Sequence, residues 1–119
     1  MFNYKKLETW QEGFVFADLI YSTTRKSPNE ERFGLTNQIR RAAVSISSNL
    51  AEGSSRNSRN DFARFVEIAT GSVFDIVSQA SIARKQGFLS DDDSKNIYTS
   101  SEKLGRMPSG LRHSLLQSN

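Results

Sequence analysis

Cysteine is absent from this 119-residue chain, which excludes disulfides, thiolate metal sites and a cysteine nucleophile. Histidine is nearly absent too. His113 stands alone, so a multi-histidine metal centre is excluded. No apolar run approaches the roughly 18–20 residues needed to cross a bilayer, and mean hydropathy is −0.54. The opening Met1-Phe2-Asn3-Tyr4-Lys5-Lys6-Leu7 lacks both the apolar run and the small-residue cleavage site of a signal peptide. G-x-S-x-G, P-loop and G-x-G-x-x-G motifs are missing, as are the Glu-x-x-His pairs of a di-metal bundle. These absences set the expectation of a small, soluble, cytoplasmic, non-enzymatic domain with no cofactor, no metal and no membrane contact.

What is present is a modest core and an uneven charge. Hydrophobic residues make up 36% and charged residues 24% of a length that suits one domain. The net charge of +3 hides an asymmetry. Residues 32–64 carry Arg32, Arg40, Arg41, Arg56, Arg59 and Arg64 against Glu52 and Asp61 only, whereas the flanking stretches are near balance. Every cation in that stretch is arginine, whose planar fork of donors suits phosphate.

The apolar residues recur with helical spacing, and no period-2 strand stands out. A first helix is expected over about 5–26, with Leu7, Trp10, Phe14, Ala17 and Tyr21 as its bundle-facing seam. Phe16, Leu19 and Ile20 fall on the other side, so this helix calls for cover on both faces. Pro28 ends it and opens a loop to Gly34. A second helix over 35–52 buries Leu35, Ile39, Ala42, Ala43, Ile46 and Leu50, with Gly53 as a left-handed C-cap. Ser58 and Asp61 open a third over 59–86, with Phe62, Phe65, Val66, Ala69, Val73, Ile76, Ala80 and Ala83 inward and Gly87 as its stop. Ser90 followed by three aspartates starts a fourth over 91–107. Its thin stripe of Ile97, Leu104 and Met107 is stopped by Pro108, leaving 109–119 as a frayed tail in which Leu111 and Leu115 can dock as a last turn. The fold class expected is all-α: an antiparallel, up-down four-helix bundle forming one domain over 1–119.

A second apolar surface accompanies the core. On the third helix Ile68, Gly71 and Ile82 point away from it, beside Arg64 and Asp75, and on the second so does Val44. A mid-helix glycine costs about 1 kcal/mol relative to alanine, and one use for it is the close approach of another helix. With Phe16, Leu19 and Ile20 on the first helix, these residues are the expected interface of a homo-oligomer.

Arg40, Arg41, Arg56, Arg59 and Arg64 are the candidate phosphate contacts, grouped near the turn between the second and third helices. Arg56 and Arg59 are expected to be exposed, and Arg41 to be the structural one. Pairing with Glu52, Glu67 or Asp75 is the competing role. No aromatics interleave clearly with the arginines, so base-specific readout is not implied.

The run Gly34-Leu35-Thr36-Asn37-Gln38-Ile39-Arg40-Arg41-Ala42-Ala43-Val44-Ser45-Ile46, continued by Ser48-Asn49-Leu50-Ala51-Glu52-Gly53, resembles a signature segment of the proteins encoded within intervening sequences of 23S ribosomal RNA genes. Trp10-Gln11, Ile20-Tyr21, Pro28 with Glu31, Arg56, Phe62, Phe65 and Ile68-Ala69-Thr70-Gly71-Ser72 fit the same pattern. The resemblance spans roughly residues 7 to 89 and weakens in the fourth helix, where Pro108 interrupts it. It implies a four-helix bundle that assembles into a ring-like homopentamer with a basic surface. A relative, the accessory protein of diversity-generating retroelements, binds nucleic acid and a reverse transcriptase, and the family has no established enzymatic activity. Two functions therefore stand: an oligomer binding structured RNA or DNA through phosphates, and a scaffold or accessory subunit for a partner protein.

Overall fold

Four helices account for nearly all of the computed structural model, which describes residues 3–26 and 34–116. A short 3-10 turn, Asn3–Lys6, leads into α1 (Glu8–Thr24), α2 (Leu35–Ser54), α3 (Arg59–Lys85) and α4 (Asp91–Leu116), with no strand among the described residues. The stop expected at Pro28 lies outside them.

Local chemistry sets most of the helix ends. The Ser58 hydroxyl accepts from the Asp61 N–H at 2.9 Å, and Ser90 does the same for Asp93 at 3.1 Å, so both expected N-caps form. At the far end of α3, Gly87 adopts φ 81°. The Phe88 N–H reaches the Ala83 carbonyl and the Gly87 N–H reaches Arg84, which is the paired-bond termination that needs a left-handed residue. Gly53 ends differently from expectation. It stays helical within α2 and buried, because a Cβ there would sit 2.7 Å from the Phe65 Cβ. Its missing side chain serves the packing of the α2–α3 hairpin, not a cap.

The helices pack in cyclic order. α1 touches α2 and α4, α3 touches α2 and α4, and the diagonal pairs do not meet. The core runs through Ile39, Ala43, Ile46 and Leu50 of α2, Val66, Ala69, Val73, Ile76, Ala80 and Ala83 of α3, and Ile97 and Leu104 of α4. These are the residues their periodicity selects.

α1 departs from expectation. Its buried face is Thr9, Gly13, Phe16, Ile20, Thr23 and Thr24, rotated by roughly 110° from the aromatic seam at 100° per residue. Phe16 and Ile20 are 3% and 0% exposed and belong to the core, so they are not free for an oligomer interface. Leu19 packs half-buried against that core at the α1–α4 seam. Phe14, expected inside, is 61% exposed. The reason is closeness of approach. Gly13 lies where a Cβ would come within 2.9 Å of the Ser47 Oγ, so the glycine and threonine side brings α1 against α2 as the bulky aromatic side cannot.

α4 also departs. It continues past Pro108 to Leu116, although a proline removes one helix hydrogen bond. Leu111 and Leu115 pack against the core, and that burial holds the last turns in place. The side chain of Met107 lies outside the described residues.

Candidate nucleic-acid interface

Arg40 and Arg41 are adjacent on α2 and point in different directions. Arg40 Nε donates to the Thr24 hydroxyl oxygen at 2.8 Å, and its guanidinium lies 4.7 Å over the Tyr21 ring. The Thr24 hydroxyl in turn donates to the Ile20 carbonyl at 2.7 Å. Arg40 is thus a fastener between α1 and α2, half-buried and engaged on both its polar edge and its face. Arg41, expected to be the structural one, is exposed and makes no ion pair among the described residues. The two roles are the reverse of those expected.

Arg56, Arg59 and Arg64 gather at the tip of the α2–α3 hairpin. Arg56 follows α2 and pairs with Glu52 at 2.9 Å, four residues back, while its guanidinium lies 4.8 Å over the Phe65 ring. Such an exposed pair is weak and screened by salt. Arg59 opens α3 and is exposed, and Arg64 is exposed without an ion-pair partner among the described residues. Glu67, a candidate partner for Arg64, is instead paired with Arg112 of α4 at 3.5 Å.

Hairpin register gives the spacing. The Ser72 hydroxyl donates to the Ser45 hydroxyl at 3.0 Å, and Gly53 sits against Phe65. Arg64 therefore stands level with Gly53, and Arg41 lies about 18 Å further along the axis at 1.5 Å per residue. Both lie on the outer face of the hairpin. The five arginines do not form one patch. Three sit at the tip, one stands alone three turns away, and one is built into the α1–α2 contact.

The interface residues divide in the same way. Val44, Ile68 and Ile82 are exposed by 44%, 45% and 50%. Gly71 is exposed, with nothing within 4 Å of where a Cβ would lie. The sequence reading missed Phe74 and Tyr98, exposed by 68% and 54%, which wall a groove between α3 and α4. The signal was available: each is an aromatic residue off its helix's apolar stripe. Among the described residues no group of three or more histidines or carboxylates is placed to hold a metal ion. No helix among them is long and apolar enough to cross a membrane.

Fold and surface together define a class: a small four-helix bundle with arginines on the outside of its central hairpin. The chain matches the family described as 23S rRNA-intervening sequence protein over residues 5–110, and it belongs to that family. It is similar to a crystal structure of a protein of unknown function from the S23 ribosomal protein family of Bacteroides thetaiotaomicron, at 21% identity. That match covers 92% of this chain and 99% of the other, with a TM-score of 0.77, and establishes the common fold. No curated protein matches.

Proposed function

We propose that this chain is a non-enzymatic, homo-oligomeric protein, a pentamer by the family resemblance, that binds structured RNA or DNA through phosphates. Arg41 and Arg64 are the principal contacts, joined at the hairpin tip by Arg59 and by Arg56 once it gives up Glu52. Arg40 takes no part. The observation that carries this reading is the pair of exposed arginines, Arg41 and Arg64, held on rigid helices without an ion-pair partner among the described residues. Their separation of about 18 Å corresponds to roughly five steps of a duplex strand at 3.4 Å each. That span favours a polymer over a single phosphate. Exposed apolar side chains on all four helices support self-association, and repetition of a weak site around an oligomer raises the effective concentration of each contact.

The test is fluorescence anisotropy of labelled structured RNA and duplex DNA at about 50 and 200 mM salt. Binding is expected to weaken steeply with salt. The variant R41Q/R64Q should lose about two units of the log–log salt slope per bound chain, since each phosphate contact contributes close to 0.9. An unchanged slope would overturn the assignment.

A second reading is a protein-interaction scaffold or accessory subunit with an acidic partner. It is favoured by the engagement of Arg40 with Thr24 and Tyr21 and of Arg56 with Glu52, which gives two of the five cations partners within the chain. Absence of any anisotropy change at either salt, with the oligomer intact, would put it first.

A further inference from the structure

The outer face of the α2–α3 hairpin carries its charges in an order that packing alone does not require. On α2, Arg41, Ser45, Ser48 and Glu52 follow at spacings of four, three and four, and on α3 Arg64, Ile68, Gly71 and Asp75 do the same. Residues so spaced share one side of a helix. The two helices run antiparallel, and the 3.0 Å hydrogen bond from Ser72 to Ser45 fixes their register. That register sets Arg41 level with Asp75, and Arg64 level with Glu52, to within one residue. The face therefore has a local twofold axis, with its arginines at diagonally opposite corners and its carboxylates at the other two. Glu52 is already held by Arg56 at 2.9 Å. Between the corners the surface is low, and no exposed aromatic ring stands on it among the described residues. Gly71 is exposed with nothing within 4 Å of where a Cβ would lie, and Ile68 is the aliphatic side chain beside it. Ser48 is exposed, and its hydroxyl has no hydrogen-bond partner among the described residues. The Asn49 amide donates to the Ser45 carbonyl and hydroxyl at 2.8 and 2.9 Å, which leaves its carboxamide oxygen to accept.

We infer that this face lies across the minor groove of an A-form RNA duplex. The inference rests on the phosphate-binding reading above and names its substrate. Width argues against DNA. Two packed helices present a face roughly 20 Å across, whereas the major groove of B-DNA, about 12 Å wide, admits one helix and its minor groove is about 6 Å wide. The lack of exposed aromatics argues against a single strand, which is held by stacking its bases on rings. The minor groove of A-form RNA is wide and shallow and displays 2′-hydroxyls, so a broad, low face meets it without entering. Symmetry agrees as well. The two strands that border the groove are antiparallel and related by a dyad, as Arg41 and Arg64 are, so each arginine reaches the backbone of a different strand. A 2′-hydroxyl both donates and accepts, which suits the Ser48 hydroxyl and the Asn49 carboxamide oxygen. Gly71 leaves room for a ribose, and Ile68 packs against its apolar edge. Asp75 repels phosphate from its own corner, which holds the duplex to the diagonal that the arginines define.

The experiment titrates the full chain into labelled RNA duplex of about 16 base pairs, DNA duplex of the same sequence, the 2′-O-methyl form of the RNA duplex, and one RNA strand alone, all at about 100 mM salt. The RNA duplex should bind about tenfold tighter than the DNA duplex or the single strand, the worth of one or two hydrogen bonds. The 2′-O-methyl duplex, which keeps the A-form but cannot donate, should fall toward the DNA duplex. In the chain, G71Q raises the floor of the face without changing its charge and should remove the preference for RNA, with helicity unchanged by circular dichroism. D75N should tighten the RNA duplex. An RNA duplex bound no tighter than DNA, a single strand bound as well as the duplex, or a preference that survives G71Q would overturn the inference and leave the phosphate reading standing. Absence of binding to every probe would overturn that reading as well.

Discussion

Consecutive residues on a helix point about 100° apart, and for Arg40 and Arg41 that angle separates a fastener from a free cation. Arg40 lies between α1 and α2, where its Nε–H and its flat face both find partners. Truncating it should cost about 1–2 kcal/mol of folding stability, from one charged hydrogen bond and one cation–π contact, and leave the salt dependence of nucleic-acid binding unchanged. R41Q should do the opposite, with stability held within about 0.5 kcal/mol and a shallower salt slope. Urea denaturation and anisotropy on the same two variants check both halves. Ser47 gives a third case. Its Oγ is buried against Gly13 with no hydrogen-bond partner among the described residues. Replacing it by alanine should leave stability unchanged or raise it by up to about 1 kcal/mol, because an unsatisfied buried hydroxyl carries a desolvation cost.

Among the elements, the α2–α3 hairpin is the most tightly specified. A Cβ added at Gly53 would lie 2.7 Å from the Phe65 Cβ and 3.0 Å from Phe62 Cδ1. The first contact involves an atom fixed to the backbone, so a methyl group at position 53 forces the two helices apart. G53A should destabilise by about 1–3 kcal/mol, the usual range for overpacking. G87A should cost about 1 kcal/mol for a different reason, the left-handed φ of 81° that an L side chain resists. Thermal melts would separate these from the exposed G71A, where the space is open and alanine should add about 0.5–1 kcal/mol of helix stability. α4 shows the reverse balance, local preference yielding to packing. Pro108 breaks one backbone bond, yet Leu111 and Leu115 still reach the core.

At the scale of the whole molecule, large apolar side chains remain in solvent on every helix, among them Phe14, Val44, Phe74 and Tyr98. Exposed apolar side chains of this size on all four helices are the kind of surface that self-association would cover. Light scattering should return a mass above that of one chain. High salt should leave that mass largely intact while it releases nucleic acid, since apolar contacts are not screened and phosphate contacts are.

How much of this was legible in advance follows from the range of each interaction. Serine caps at 58 and 90, the glycine stop at 87, the apolar stripes of α2 and α3 and the all-α class depend on neighbours within one or two turns. The amino-acid sequence alone determined them. The orientation of α1, the burial of Phe16 and Ile20, the division of labour between Arg40 and Arg41 and the persistence of α4 beyond Pro108 depend on residues far away in the chain. Gly13 meets Ser47, Arg40 meets Thr24, and Leu111 and Leu115 meet the core. Counting hydrophobicity along α1 favours the aromatic side, because large side chains weigh most. Only the tertiary structure decides for the small side, because close packing rewards helices that can approach, and that depends on what each helix finds opposite it.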